Sequence, residues 1–138
     1  MWANEFSVET DAEPADVWRL WAEVDRWPEW NGDIERIELV GPFAEGSRIL
    51  MTPVGEDQIE LRIAETVEPG LFVDEAELGG IVVETTHRID PLDAGRARVT
   101  YRMENTGPEA ETLGPQIGPQ ISADSPQVLE ALVARVER

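Results

Sequence analysis

The sequence contains no cysteine and no lysine, and it has one histidine and one tyrosine among 138 residues. Without cysteine there are no disulfides, no thiolate catalysis and no cysteine-bound metal ions. Without lysine no side chain can form a covalent imine with a carbonyl substrate. A lone histidine cannot supply the paired ligands of common metal sites, and glycine-rich phosphate and nucleophile motifs are missing as well. We therefore expect no metal and no cofactor.

Positive charge is also scarce. The chain carries 29 acidic residues against 11 basic residues, all arginine, which gives a net charge of −18. A field of this sign repels phosphate backbones and anionic lipid surfaces, so nucleic acid is excluded as an expected partner. A GC-rich genome or adaptation to salt is an alternative explanation of the acidity.

Long hydrophobic runs are absent too. Aliphatic runs such as Ile81-Val82-Val83 are short, far below the roughly 20 residues that cross a bilayer. The first residues have neither the basic nor the apolar region of a secretion signal. We expect a cytoplasmic protein without stable membrane insertion, as a monomer or homodimer.

The hydrophobic content of 41%, with five tryptophans, is sufficient for one core. A chain of this length buries about 68–70% of the surface that it exposes when unfolded. No segment has the composition of a linker, and no repeat is evident. The sequence therefore predicts a single domain over residues 1–138.

Hydrophobic periodicity changes near the N-terminus. Phe6 and Val8 alternate with polar residues, which predicts a first strand ending at Thr10-Asp11. Pro14 is suited to the first turn of a helix, and Pro28 interrupts helical geometry. Between them one apolar stripe follows at helical spacing, formed by Val17, Leu20, Trp21 and Val24. We expect two short helices after the first strand.

The middle of the chain alternates between apolar runs and turn residues, which is typical of strands. Six strands are predicted: Ile34–Val40, Arg48–Thr52, Gln58–Glu68, Leu71–Glu77, Ile81–Asp90 and Arg96–Glu104. Their connections are too short for parallel crossovers. An antiparallel meander is therefore expected.

The last third is rich in proline, yet its pattern is helical. Pro108, Pro115, Pro119 and Pro126 fall within roughly 40° on a helical wheel. The opposite side holds five aliphatic residues, Leu113, Ile117, Ile121, Val128 and Leu132. This predicts a long C-terminal helix bent at its prolines, with its apolar face on the sheet. Two short helices, one opened by Pro115 and the other capped by Ser125, are the alternative.

Several segments in this order resemble a known family. They are Ala15-Asp16-Val17-Trp18, Trp27-Pro28-Glu29-Trp30-Asn31, Ile37-Glu38-Leu39, Gly41-Pro42-Phe43-Ala44-Glu45-Gly46, Val67-Glu68-Pro69, Arg98-Val99-Thr100-Tyr101, Gly107-Pro108, Leu113-Gly114-Pro115 and Asp124-Ser125-Pro126. Over essentially the whole chain the sequence resembles the SRPBCC superfamily, also called START or Bet v 1-like, and within it the bacterial polyketide cyclase/dehydrase and lipid-transport group. The resemblance implies an α+β helix-grip fold, in which a curved antiparallel sheet of about seven strands wraps around a long C-terminal helix. It also implies a pocket for a hydrophobic small molecule.

Acid–base chemistry has few candidates in this sequence. Among these candidates, the histidine side chain of His87 has the ordinary pKa that lies nearest to neutral pH. If Ile89 faces inward, alternation places His87, Thr85 and Val83 on the same face. The same reasoning turns Tyr101 and Met103 inward on the next strand. We expect His87 as a base and Tyr101 as a proton donor; hydrogen-bonded packing is the alternative for both.

Two carboxylates are further candidates. Glu65 shares an alternation with Ile63 and Val67 and is expected to face inward, where burial would raise its pKa into a catalytic range. Asp74 has a similar but weaker case if it shares a face with Phe72 and Ala76. We therefore predict Glu65 as a catalytic group, and Asp74 and Phe72 as ligand contacts.

The remaining predicted ligand contacts lie around the pocket. Trp30 and Asn31 belong to a proline turn, which is a common location for a pocket mouth. Arg36 faces the cavity if its strand alternates regularly, whereas a β-bulge would reverse it. The other contacts are predicted to be Met51, Val83, Thr85, Met103, Leu113, Ile117 and Ile121.

The leading interpretation is a pocket for a polyketide-like, aromatic or lipid-like molecule, with cofactor-free cyclisation or dehydration if the protein is an enzyme. A non-catalytic carrier or sensor of a lipid or isoprenoid is the second hypothesis. A regulator that acts through protein interactions is the third, and its mark would be an exposed apolar patch.

Overall fold

One seven-stranded antiparallel sheet dominates the computed structural model, which describes residues 2–78, 80–107 and 125–137. The strands are β1 Trp2–Thr10, β2 Ile34–Val40, β3 Arg48–Pro53, β4 Ile59–Val67, β5 Leu71–Leu78, β6 Ile81–Pro91 and β7 Ala97–Thr106. Their order in the sheet is β1-β7-β6-β5-β4-β3-β2. The predicted meander from β2 to β7 is confirmed, and β1 closes the sheet beside β7.

Helices cover one face of the sheet. Helix α1 spans Pro14–Ala22, a 3-10 helix spans Val24–Glu29, and helix α2 spans Ser125–Val136. A three-residue 3-10 turn, Asp93–Gly95, separates β6 from β7. We call the face of the sheet that packs against α1 and α2 the inner face.

The segment between β1 and β2 differs from the prediction of two short helices. Pro14 begins α1, as its position in the sequence indicated, and Val17, Trp18 and Trp21 are buried. The second element is a 3-10 helix that contains Pro28. Because proline has no N–H and disfavours α-helical geometry in the preceding residue, an α-helix does not continue through this turn.

Two irregularities change which side chains face the core. The register shifts between Ile34 and Arg36 on β2, and again between Ile63 and Glu65 on β4. One extra residue on a strand turns every later side chain to the opposite face. Beyond each shift, the face predicted from simple alternation is therefore reversed.

The core lies between the sheet and the helices. Leu129 and Leu132 of α2 are fully buried there, beside Trp21 of α1. The end of α2 is fixed to β1, since the Glu137 carboxylate accepts a hydrogen bond from Thr10 Oγ1 at 2.7 Å. The predicted packing of the C-terminal helix on the sheet thus holds for the described helix α2.

The N-terminal part of the predicted C-terminal helix, with Leu113, Ile117 and Ile121, lies outside the described residues. The choice between one bent helix and two short ones concerns this same segment. Within the described ranges, no helix combines the length and the apolar character that crossing a membrane requires.

Candidate ligand-binding site

His87 and Tyr101 are cross-strand neighbours on β6 and β7, and both face inward. Their ring centroids are 4.6 Å apart in an edge-to-face arrangement. Phe72 of β5 pairs with His87 on its other side and stacks against it at 4.3 Å. The prediction that alternation brings His87 and Tyr101 together on the inner face is confirmed.

The His87 imidazole is held as a neutral ring. Its Nδ1 lies 3.0 Å from the Phe72 carbonyl oxygen. Since a carbonyl only accepts hydrogen bonds, Nδ1 carries the proton and Nε2 the lone pair. Burial lowers the pKa of His87 to about 4, and the hydrogen bond to Phe72 opposes this effect only in part. His87 is therefore a weak base at neutral pH.

Tyr101 is likewise bound into the core. Its hydroxyl accepts a hydrogen bond from Trp21 Nε1 at 3.1 Å. Burial raises the pKa of Tyr101 well above its ordinary value; the Trp21 hydrogen bond opposes the shift, and the charge of Asp74 adds to it. The phenol consequently remains protonated and is a poor proton donor near neutral pH.

Asp74 is the unusual carboxylate of the inner face. Its residue is only 6% exposed, and no hydrogen bond or ion pair joins the carboxylate to any other described residue. Burial raises the pKa of Asp74 to about 7, with smaller contributions from the charges of Glu75 and Glu84. A carboxyl with this pKa exchanges protons readily at neutral pH.

Asp74 is one corner of a small patch on the inner face. Cross-strand pairing sets Asp74 beside Thr85 and Ala76 beside Val83. On the next strand, Met103 pairs with Thr85 and Asn105 with Val83. We call this group of six the inner patch; its members are Asp74, Ala76, Val83, Thr85, Met103 and Asn105. The inward positions predicted for Val83, Thr85 and Met103 are confirmed by this register.

Asn105 is a member of the inner patch that sequence reasoning missed. It is fully buried, yet neither Nδ2 nor Oδ1 has a hydrogen-bond partner. Leaving a buried amide unpaired costs about 1–3 kcal/mol. The predicted strand ended at Glu104, whereas β7 continues to Thr106. Extending the alternation of Tyr101 and Met103 by one step would have placed Asn105 inward.

The inward orientations predicted for Glu65 and Arg36 are wrong. Glu65 follows the register shift on β4, pairs with Val73 and is exposed. Arg36 follows the shift on β2 and is exposed as well. Here the bulge reverses the alternation, which is the outcome that the sequence left open for Arg36. Neither side chain belongs to the inner patch.

Trp30 and Asn31 lie at the turn before β2. The half-buried Trp30 packs against the core with its ring 6.4 Å from that of Trp27. It also lines a surface depression of about 250 Å³, opposite Ala131 and Ala134 of α2. The Asn31 side-chain oxygen accepts a hydrogen bond from the Asp33 backbone N–H at 3.0 Å, which stabilises the turn.

Other predicted contacts are part of the packed core. Phe72 is fully buried among aromatic rings, including Phe43 at 4.8 Å and Trp27 at 6.2 Å. Met51 on β3 is partly buried against the same cluster. In the described part of the chain, no three histidine, aspartate or glutamate side chains are grouped to hold a metal ion.

The sequence matches the model of a known family. The family model described as polyketide cyclase/dehydrase and lipid transport matches residues 1–137. The chain belongs to this family. The family includes both cyclases or dehydrases and lipid-transport proteins, so membership leaves the choice between catalysis and transport to the residues of the site.

Several solved structures have the same fold. The di-domain ARO/CYC protein BexL from the BE-7585A biosynthetic pathway matches with a TM-score of 0.79 at 22% identity, over 99% of this chain and 47% of BexL. Norcoclaurine synthase from Thalictrum flavum matches with a TM-score of 0.73 at 17% identity, over 99% of this chain and 86% of the synthase. This family member thus spans about half the length of BexL.

A START superfamily protein from Mycobacterium smegmatis matches with a TM-score of 0.74 at 17% identity, over 98% of this chain and 97% of the other. At such identities the likeness concerns the fold alone. No functionally curated protein matches the sequence significantly.

Proposed function

We propose that this family member binds a hydrophobic small molecule against the inner patch, with a polar group of the ligand hydrogen-bonded to Asp74. The unpartnered carboxylate of Asp74 is the observation that carries the proposal. A buried carboxyl group without a partner is costly, and a ligand hydroxyl or enol would supply the missing hydrogen bond. Membership in a polyketide cyclase/dehydrase and lipid-transport family supports a ligand of this kind.

Asp74 is also the group that we propose for proton transfer. A general acid or base works best when its pKa lies near the operating pH. Asp74, with a pKa of about 7, meets this condition, whereas His87, with a pKa of about 4, does not. In a cofactor-free dehydration, the Asp74 carboxylate would remove a proton from the carbon beside a carbonyl. The resulting carboxylic acid would then protonate the hydroxyl group that leaves as water.

The packing of His87 and Tyr101 favours the second candidate, a non-catalytic carrier. Both side chains make hydrogen bonds that serve the core, His87 to the Phe72 carbonyl and Tyr101 to Trp21. With these two groups engaged in structure, Asp74 is the single described group of the inner patch that is suited to proton transfer. A carrier needs only the hydrogen bond that Asp74 offers, and no turnover.

The third hypothesis, a protein-interaction regulator, gains no support. Three large hydrophobic residues are exposed in the described part of the chain: Val40 at the end of β2, Val54 after β3 and Val67 at the end of β4. Aliphatic residues scattered singly in this way are normal on soluble proteins.

Native mass spectrometry of the protein purified from its own host tests the proposal. We expect a hydrophobic molecule bound in one copy per chain, and weaker retention by Asp74→Asn. If the protein is an enzyme, the wild type converts the released molecule or its precursor with loss of one water, and Asp74→Asn does so far more slowly. Stoichiometric binding without conversion would assign the carrier role. Failure to bind any hydrophobic compound would overturn both.

A further inference from the structure

The inner patch contains two buried polar side chains without partners among the described residues. Asn105 is fully buried, and both of its amide atoms lack hydrogen bonds. Asp74 is 6% exposed, and its carboxylate is bound to no other described residue. Buried polar groups in native proteins are nearly always paired, so each such exception calls for an explanation. Asn105 is such an exception. Asp74 retains slight contact with solvent but lies on the same face of the same sheet without a partner among the described residues, which indicates a common cause.

The register fixes how these two groups are arranged. Asp74 and Asn105 lie on β5 and β7, with β6 between them. Along the strands they are offset by one inward position, because Asp74 pairs with Thr85 and Asn105 with Val83. Two strand spacings and two residues of rise place their Cα atoms about 12 Å apart. They occupy diagonally opposite corners of the inner patch.

The residues between these corners carry no charge. Its centre is formed by Val83 and Thr85 on β6, and its other corners are Ala76 and Met103. Neither Val83 nor Met103 belongs to the packed hydrophobic cluster formed by the described residues. Because the side chains of Val83 and Thr85 are short, we expect an extended apolar body to fit between the two polar corners.

We propose that the inner patch is a two-ended site for a flat apolar molecule with a hydroxyl or enol group at each end, one bound by Asp74 and the other by Asn105. The inference rests on the proposed function and adds Asn105 as a specificity-determining residue. A hydroxyl group suits Asn105 because it donates to Oδ1 and accepts from Nδ2 at once. A ligand with one polar end would leave one buried group unpaired, so the site discriminates against it.

Equilibrium binding of three probes tests this arrangement: naphthalene, 2-naphthol and naphthalene-2,6-diol. The probes share one flat body and carry no hydroxyl, one, or one at each end. For the wild-type protein we expect affinity to rise along this series, with the diol bound about tenfold more tightly than naphthalene. Equal affinity for 2-naphthol and the diol, both above that for naphthalene, would overturn the two-ended site while leaving the proposed function intact. Equal affinity for all three would also overturn the hydrogen bond to Asp74. Binding of none would overturn the two-ended site, and native mass spectrometry would then decide the proposed function.

Variants separate the two ends. Asn105→Leu and Asp74→Leu replace each polar group by an apolar one of similar shape. Each variant should lose about threefold or more of the preference for the diol over naphthalene. Both variants should also melt at a higher temperature without ligand, because an unpaired buried group has been removed. Thr100→Val, a buried residue on the outer face of β7, is the matched control and should keep the full preference.

If an ordered water, and not the ligand, pairs with the Asn105 amide, a different result is expected. Asn105→Leu would then retain the wild-type preference for the diol, which would remove Asn105 from the site. Equal loss of affinity for all three probes would assign Asn105 a purely steric role and also overturn the inference. If Asn105→Leu does not fold, Asn105→Ser, which has a smaller side chain, replaces it in the same binding test.

Discussion

Trp21 Nε1 donates a hydrogen bond to the Tyr101 hydroxyl across 3.1 Å, although the two residues are 80 positions apart in the chain. Trp21 is 1% exposed and Tyr101 8% exposed. The bond joins α1 to the centre of β7 in a region from which water is excluded. Trp21 also contacts the rings of His87 and Phe72. This end of the inner face is consequently a packed aromatic cluster.

Tyr101→Phe should destabilise the protein without altering the packing of the ring. The substitution removes the acceptor of the Trp21 N–H and leaves that group buried and unpaired, at a cost of about 1–3 kcal/mol. Urea denaturation measures the change as a lower midpoint with an unchanged slope. Unaltered stability would show that the Trp21 N–H finds another partner.

Regular alternation made much of the site predictable. His87 and Tyr101 lie on strands without register shifts between them, so the pattern around Ile89 and Val99 was sufficient to orient both. The same rule failed for Glu65 and Arg36, since each follows a shift in register. A bulge depends on how two strands pair, and one strand's sequence does not show its partner.

The distinction between Asp74 and Glu65 required the folded structure for the same reason. In the sequence both were carboxylates on mainly apolar strands, and Glu65 was the stronger candidate for an inward-facing acid–base group. Pairing reversed this order: Asp74 is buried and Glu65 is exposed. The pKa of Asp74 depends on how deeply the surrounding strands bury it, and this quantity appears only when they assemble.

Glu65→Gln should leave ligand binding and any turnover at the wild-type level, because the side chain lies on the outer face. Asp74→Asn makes the same type of change on the inner face and should lower turnover by about a hundredfold if the protein is an enzyme. Steady-state rates with the identified ligand provide the comparison. A large loss in Glu65→Gln with normal activity in Asp74→Asn would reverse this assignment.

His87→Ala should cost about 3 kcal/mol of stability, because it opens a cavity between Phe72 and Tyr101 and removes the hydrogen bond to the Phe72 carbonyl. From the sequence, the catalytic hypothesis for His87 implied lower turnover with little change in stability. The packing indicates the opposite pattern. Thermal unfolding and turnover measured on the same preparation distinguish the two.

Leu132→Ala should destabilise the protein by about 2–5 kcal/mol, since Leu132 of α2 is fully buried in the core. Glu130→Ala on the exposed side of the same helix is the control and should change stability by less than about 0.5 kcal/mol. Urea denaturation of both variants provides the measurement. Similar small effects would mean that α2 contributes little to the core.

Asp74 and His87 should affect stability in opposite directions as the pH changes. The pKa of Asp74 is raised from 3.8 to about 7 in the folded protein. As the pH rises through this window, the unfolded chain loses the proton first, so stability falls. The pKa of His87 is lowered from 6.5 to about 4. As the pH falls through that window, the unfolded chain gains the proton first, so stability falls on acidification.

The difference in unfolding free energy between Asp74→Asn and the wild type isolates the first effect, because the other carboxylates contribute equally to both proteins. The pKa change of Asp74 corresponds to roughly 4 kcal/mol. Asp74→Asn should therefore gain about this much over the wild type at about pH 8, and the gain should vanish near pH 4. For His87→Asn, the unfolding free energy relative to that of the wild type should rise as the pH falls below 6.5. Differences that do not vary with pH would mean that both groups titrate as they do in water.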